Sequence, residues 1–154
     1  HLGSTLAAIA GEKAGIAKPG VPLVVGDVPD EAWRAIETAA RLTGAPVTRV
    51  GDGVTIDTTL IDGHVRLTAV TPAATYGPVR LALGGAHQAG NALVAIRLLE
   101  AFAAATGRQI SPAHVETGLA RAQWAARLEW LRHPASGTRV LIDAAHNPAG
   151  ARAL

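Results

Sequence analysis

Cysteine is absent from the 154 residues, which excludes a disulfide framework and any thiolate catalyst or thiolate metal site. Aromatics are nearly absent: three tryptophans, one tyrosine and one phenylalanine make up 3% of the chain, so a core must be built from Ala, Val, Leu and Ile. No basic stripe is present. The net charge is +2 and the basic residues are scattered, which argues against a nucleic-acid footprint. Neither a signal peptide nor an apolar run long enough to cross a bilayer is apparent, so a cytoplasmic protein with no membrane partner is the default expectation. No Gly-Lys-Ser/Thr follows any glycine pair, so there is no P-loop, and the six histidines lack zinc spacing. Lysine is the scarcest charge: Lys13 and Lys18 stand against twelve arginines.

What is there suits a folded α/β chain. Hydrophobic residues make up 49% and charged residues 17%, a globular and not a disordered balance. Residues 2–14 read as a helix in which Leu2, Leu6, Ile9 and Lys13 share an arc, with Gly15 placed to end it. "GVPLVVGDV" reads as a buried strand, "PDEAWRAIETAARLTG" as a helix ending at Gly44 with Trp33, Ile36 and Ala40 on one face, and "PVTRVG" as a strand. That rhythm predicts a parallel βαβ unit. Alternation at Val54–Leu60, Val65–Ala69 and Val79–Leu83, with turns at Asp62-Gly63 and Tyr76-Gly77-Pro78, predicts an antiparallel meander. A helix over 86–105 follows, then one opened by Ser111-Pro112 with Val115 and Leu119 on its apolar face. "HPASG" at 133–137 reads as a linker, "TRVLID" as a buried strand and "NPAGARAL" as a helix capped by Asn147. The chain starts at His1 without Met and stops inside that last helix, so it is expected to be a piece of a longer protein.

Four stretches could carry chemistry. In "GEKAGIAKPG", Lys13 has Ile9, Ala10, Ile16 and Ala17 at helical spacing. Desolvation there would favour a neutral amine, open to nucleophilic attack, a Schiff base or a carbamate whose two oxygens suit a hard cation such as magnesium. The alternative is a snorkelling lysine near a helix C-terminus, met favourably by the helix dipole. In "GGAHQAGNALVAIRLLEAF", His87 and Asn91 share a face above Val94, Leu98 and Ala101, which suits recognition of a base edge or ribose. A buried Asn with a capping His is the alternative. In "WAARLEWL", Arg127 could hold phosphate through its fork or simply pair with Glu129 on the surface. In "VLIDAAHNP", Asp143 sits at a strand's carboxyl end, where open α/β sheets bind ligands, and His146 and Asn147 lie in the following turn; plain turn and helix capping is the alternative.

Together, "HLGSTLAAIAGEKAGIAKPGVPLVVG", "LGGAHQAGNALVAIRLLEA", "WAARLE" and "LIDAAHNPAGARAL" resemble the folylpolyglutamate synthase/dihydrofolate synthase family of Mur-ligase-like ATP-dependent amide ligases, from the first residue to the last. The resemblance implies residues 1–136 as the later part of the central ATPase domain, a mixed sheet with helices and an antiparallel subregion. It implies 137–154 as the first strand and helix of a Rossmann-like glutamate-binding domain. It implies ATP and Mg2+ as cofactors, with a monovalent cation such as K+ as a candidate addition. Folate or dihydropteroate and L-glutamate are the implied partners, and the parent protein is expected to be a monomer. By the same resemblance Lys13 is carbamylated and binds a metal through its carbamate, Asn91, Arg127 and Asp143 contact ATP with His87 beside them, and His146 faces the acyl phosphate or the incoming glutamate.

The match has departures. The family usually carries Pro-Gly before Arg-Leu-Glu, where this chain has Ala125-Ala126; a positive φ at that glycine would make alanine costly. The P-loop and the remaining metal ligands are expected before His1, which itself occupies a variable position of the family's run, and most of the glutamate-binding domain after Leu154. The 154 residues alone are therefore expected not to turn over substrate. Another Mur-type ligase and a non-catalytic nucleotide-binding module are the competing readings; the Glu-Lys-Ala-Gly-Ile-x-Lys-Pro-Gly run favours the folate branch.

Overall fold

The computed structural model describes residues 5–146 and 148–152; the expected arc position Leu2 and the expected cap Asn147 lie outside the described residues. The chain forms two compact units, one of the residues up to Val54 with Leu93–Ile110, the other of Thr55–Ala92 with Ser111 onward.

The first unit holds the expected βαβ. Helix α1 (Leu6–Ala14) is capped by Thr5, whose side chain accepts from the Ala8 N–H, and ends at Gly15. Strand β1 (Leu23–Val25) runs parallel to β2 (Val47–Arg49) in the register Leu23↔Val47, with α2 (Asp30–Thr43) between them. Gly44 at φ 75° closes α2, a left-handed position that glycine occupies without a Cβ penalty. The buried face of α1 is Ala10 and Ala14, against α2 with its buried Ala32 and Ala40. The expected arc therefore does not face inward. Leu6 is 52% exposed, Ile9 half-buried and Lys13 exposed, because the small alanines make the close helix–helix contact. In β1 only Val25 is buried, since a two-stranded sheet leaves its flanks uncovered. Trp33 turns out to stack under Arg49, whose guanidinium carbon lies 4.3 Å from the ring centroid.

The second unit contains the meander β3-β4-β5 (Thr55–Ile61, His64–Val70 and Thr75–Gly84). Asp62 and Gly63 both have positive φ, 49° and 76°, as the two-residue hairpin turn requires. Alternation is realised in β4, which buries Val65, Leu67 and Ala69, and in β5, which buries Tyr76, Val79 and Leu81. Edge strand β3 is exposed along its whole length. The second turn lies at Thr71–Ala74, not at Tyr76-Gly77-Pro78: the Thr71 hydroxyl accepts from the Ala73 and Ala74 N–H groups. Gly77 instead sits inside β5 where the ladder register shifts, and its freed N–H donates to Glu116 Oε1 at 2.7 Å. Glu116 belongs to α4 (Pro112–Arg121), which Ser111 caps and which packs on β5 with Val115 buried.

Helix α3 (Gln88–Thr106) gives its first turn to the second unit and the rest to the first. Its buried positions are Gln88, Ala92, Leu93 and Ile96, not the expected stripe through Leu98, which is 46% exposed. A helix apolar nearly all round does not announce its inner face through periodicity. Contrary to the expectation of no such run, α3 is long and apolar enough to cross a membrane by length and composition, though it carries an Arg97–Glu100 ion pair at 2.6 Å.

The segment expected as a linker is a hairpin turn. Strands β6 (Glu129–Arg132) and β7 (Arg139–Ile142) pair antiparallel across it, and the His133 N–H donates to Thr138 O at 2.8 Å. Val140, Leu141 and Ile142, expected to be buried, are 41%, 45% and 37% exposed, because β6 is their one strand neighbour among the described residues. A short helix, α5 (Pro148–Arg152), follows.

Candidate functional site

Five of the six expected site residues fall in the second unit: His87 and Asn91 at the start of α3, Arg127 before β6, and Asp143 and His146 after β7. The link is the end of β5. Gly85, at φ 99°, leaves its Cβ position vacant, and that position lies 2.6 Å from His87 Cε1 and 2.8 Å from Leu128 Cδ1. Any larger residue would push aside the ring and the methyl that share the space. The glycine pair seen in the sequence therefore serves packing between the α3 start and the Arg127 loop.

The Arg127 loop is held from both sides. Ala126 and Leu128 both have positive φ, 57° and 47°, so Arg127 stands between two left-handed residues. For L-residues that conformation costs about 1–2 kcal/mol each. Hydrogen bonds offset it: Glu129 Oε2 accepts from the Ala126 N–H at 2.8 Å, and Asp143 Oδ2 accepts from the Leu128 N–H at 2.9 Å. Glu129 is thus occupied with backbone, and the two side-chain ion pairs among the described residues, at Arg49 and Arg97, do not involve Arg127. The guanidinium is exposed and available to an anion.

Asp143 does more than cap its turn. Its Oδ1 accepts from the Ala145 N–H at 2.8 Å while Oδ2 crosses to the Arg127 loop, and the Ala144 N–H donates to Ala126 O. One carboxylate therefore fastens the loop after β7 to the loop before β6. Each oxygen keeps a lone pair for a ligand. In that turn His146 is exposed, with Nδ1 3.0 Å from Ala144 O. Nδ1 carries the proton, and a neutral ring presents Nε2 outward as an acceptor.

At the start of α3, Asn91 is exposed and its Nδ2 donates to Gln88 Oε1 at 2.9 Å; Gln88 Nε2 lies 3.1 Å from His87 Nε2. His87 Nδ1 is buried without a hydrogen-bond partner among the described residues. Gln88 and Glu129 are the residues that sequence reasoning missed. The spacing of three between Gln88 and Asn91 was the available signal, since such amide pairs meet on a helix.

Lys13 lies in the first unit and is exposed on the last turn of α1. The apolar enclosure expected from its neighbours is absent, because Ile16 is 72% exposed and the helix buries its alanines instead. Among the described residues no group of three His, Asp or Glu could hold a metal ion. A cleft of about 820 Å³ in the second unit is lined by Arg127, Leu128, Trp130 and Gly84, but not by Asn91, Asp143 or His146. The hydrogen-bonded loops are the better guide to the site, because they fix the polar groups that a ligand would meet.

No protein-family model matches the chain. It is 34% identical over 155 residues to the dihydrofolate synthase/folylpolyglutamate synthase of Bacillus subtilis, covering 99% of this chain and 35% of that protein. Its structure is similar to that of a folylpolyglutamate synthase in complex with AMPPCP and folate, with TM-score 0.87 and 30% identity over 99% of this chain and 37% of the other. The Mycobacterium tuberculosis folylpolyglutamate synthase complexed with ADP gives TM-score 0.83 and 34% identity, over 99% of this chain and 34% of that one. The chain thus spans about a third of the length of the relatives it matches.

Proposed function

We infer that this chain, which belongs to the folylpolyglutamate synthase/dihydrofolate synthase family, supplies part of the ATP site of a ligase that joins L-glutamate to the carboxyl of folate or dihydropteroate. One observation carries the reading: Arg127, exposed and without an ion pair among the described residues, stands in a loop that the Asp143 carboxylate fastens through the Leu128 N–H, in the same unit as the exposed Asn91. A guanidinium fork suits a phosphate, an amide suits a base edge, and a carboxylate with spare lone pairs suits a ribose hydroxyl. In this reading residues 1–136 belong to the ATP-binding domain and 137–154 open the glutamate-binding domain.

The reaction transfers the γ-phosphoryl group of ATP to the substrate carboxyl; the glutamate amine then attacks, an amide forms and phosphate leaves. Arg127 would hold phosphate oxygens. His146 Nε2, facing solvent as an acceptor, would take a proton from the incoming ammonium so that the amine can attack. Magnesium fits less well. The described residues do not by themselves form a magnesium site, and an exposed Lys13 could supply one ligand as a carbamate. That proposal is testable directly: labelled bicarbonate should give a carbamate signal in the full-length protein that Lys13→Ala abolishes.

The deciding experiment is ATP-dependent glutamate incorporation by the full-length protein, with folate, dihydropteroate and a muropeptide as acceptors. The reading expects incorporation into a pterin acceptor, a raised KM for ATP in Asn91→Ala and Arg127→Ala, and loss of turnover with ATP affinity kept in Lys13→Ala. Incorporation into the muropeptide alone would make the protein another Mur-type ligase. ATP binding with no incorporation into any acceptor would leave a nucleotide-binding module. A cytoplasmic monomer is the form in which we expect it to act.

A further inference from the structure

Ala126 and Leu128, the two left-handed residues on either side of Arg127, each give their N–H to a different carboxylate. Glu129 Oε2 accepts from Ala126 at 2.8 Å, and Asp143 Oδ2 accepts from Leu128 at 2.9 Å. The β6–β7 ladder brings the two acids to one end of the hairpin. Glu129 opens β6 opposite Ile142, the last residue of β7, and Asp143 follows Ile142 in the chain.

Acids beside an arginine commonly pair with its guanidinium. Here neither does: both turn to backbone amides, and the two ion pairs among the described residues lie at Arg49 and Arg97. Two consequences follow. The loop is held in a backbone form that alanine and leucine avoid by themselves, and Arg127 keeps its charge for an anion. Take away the Glu129 oxygen, and the Ala126 N–H loses its partner at a half-buried position. Ala126 then relaxes toward the right-handed region, which redirects the chain entering Arg127 and carries the guanidinium with it.

We propose, on the basis of the ATP-site reading above, that Glu129 is a positioning residue for phosphoryl transfer: by accepting from the Ala126 N–H it holds the Arg127 guanidinium so that it meets the phosphate oxygens of ATP. The working part of Glu129 is an oxygen at the right reach, not the negative charge. Asp143 fastens the other side of the same loop, but it is also a candidate ATP contact. Glu129 therefore separates positioning from contact. Such placement matters, because a shift of about 1 Å can cost about a hundredfold in rate.

The test is steady-state glutamate ligation by the full-length protein with ATP varied, followed alongside thermal melting. Glu129→Gln keeps an oxygen at the same reach and drops the charge. Glu129→Asp keeps the charge and draws the oxygens back by one methylene. We expect Glu129→Asp to raise KM for ATP about tenfold, in the direction of Arg127→Ala and by less. Glu129→Gln should stay within about twofold of the wild type, a retention that a need for charge would not allow. In an Arg127→Ala background, Glu129→Asp should add nothing to KM for ATP. Impairment of Glu129→Gln, with or without impairment of Glu129→Asp, makes the charge the working part and overturns the proposal. So does a Glu129→Asp protein that keeps the wild-type KM, whether or not it melts earlier, or one whose full effect adds to that of Arg127→Ala. In these cases the ATP-site reading stands as long as Arg127→Ala raises KM for ATP. If Arg127→Ala leaves it unchanged, that reading fails and the role of Glu129 goes with it.

Discussion

The two units solve the problem of a core without aromatics in opposite ways. The first uses alanine: Ala10, Ala14, Ala32, Ala40 and Ala45 account for most of its buried side chains, and two helices approach closely because nothing larger stands between them. The second uses branched and long aliphatics: Val65, Leu67, Val79, Leu81 and Val115 fill the space between the meander and α4, with Tyr76 beside them. Small-residue contacts have little to lose by truncation and much to lose by enlargement. Interdigitated aliphatics are the reverse. The candidate site residues divide unevenly: His87, Asn91, Arg127, Asp143 and His146 belong to the aliphatic unit, and Lys13 to the alanine unit.

The largest effect should come from Gly77→Ala in the second unit. The new Cβ would lie 2.3 Å from Leu67 O and 2.9 Å from Val79 N, both backbone atoms, at φ 90°. Neither can yield without breaking the ladder. We expect a loss of about 3–5 kcal/mol, seen in urea unfolding or as failure to fold. A loss under about 1 kcal/mol would mean that the bulge relaxes freely. Next comes Leu67→Ala, at 0% exposure, which should cost about 2–5 kcal/mol. Its counterpart in the first unit is Ala40→Leu, also at 0%, which should cost about 1–3 kcal/mol by overpacking. If Ala40→Leu proved neutral, the close contact of α1 and α2 would not be the tight seam described here.

Local signals were legible where one residue type forces one geometry. Asp62-Gly63 marked a hairpin, Ser111-Pro112 a helix start and Gly44 a helix end, and each does what its chemistry requires. The parallel strand–helix–strand order followed from the period change alone. Facing was not legible. In α1 and α3 alanines and leucines lie on every side, so neither Lys13 nor Leu98 could be assigned to a buried or exposed face from spacing. The Thr71 turn was hidden because Gly77-Pro78, a stronger turn signal, lies in a bulge. At the site, Arg127 and Asp143 were visible as residues, but their connection through the Leu128 N–H depends on two left-handed φ values at non-glycine positions.

The smallest predicted effect bears on that connection. Ala126 occupies a left-handed conformation, φ 57°, at the position where the family usually carries glycine. Replacing it by glycine relieves about 1–2 kcal/mol of steric cost but adds back about 0.5–1 kcal/mol of unfolded-chain entropy. Ala126→Gly should therefore stabilise the chain by about 0.5–1 kcal/mol in urea unfolding. The gain is small because the entropy returned to the unfolded chain cancels much of the relieved strain; the Glu129 and Asp143 hydrogen bonds survive the change and so drop out of the difference. Glu129→Ala tests whether the loop geometry depends on that bond: if Ala126 keeps its left-handed conformation without it, Ala126→Gly should gain as much in the Glu129→Ala background as in the parent chain. An Ala126→Gly variant that is less stable than the parent would show that the loop favours alanine for a reason other than backbone conformation.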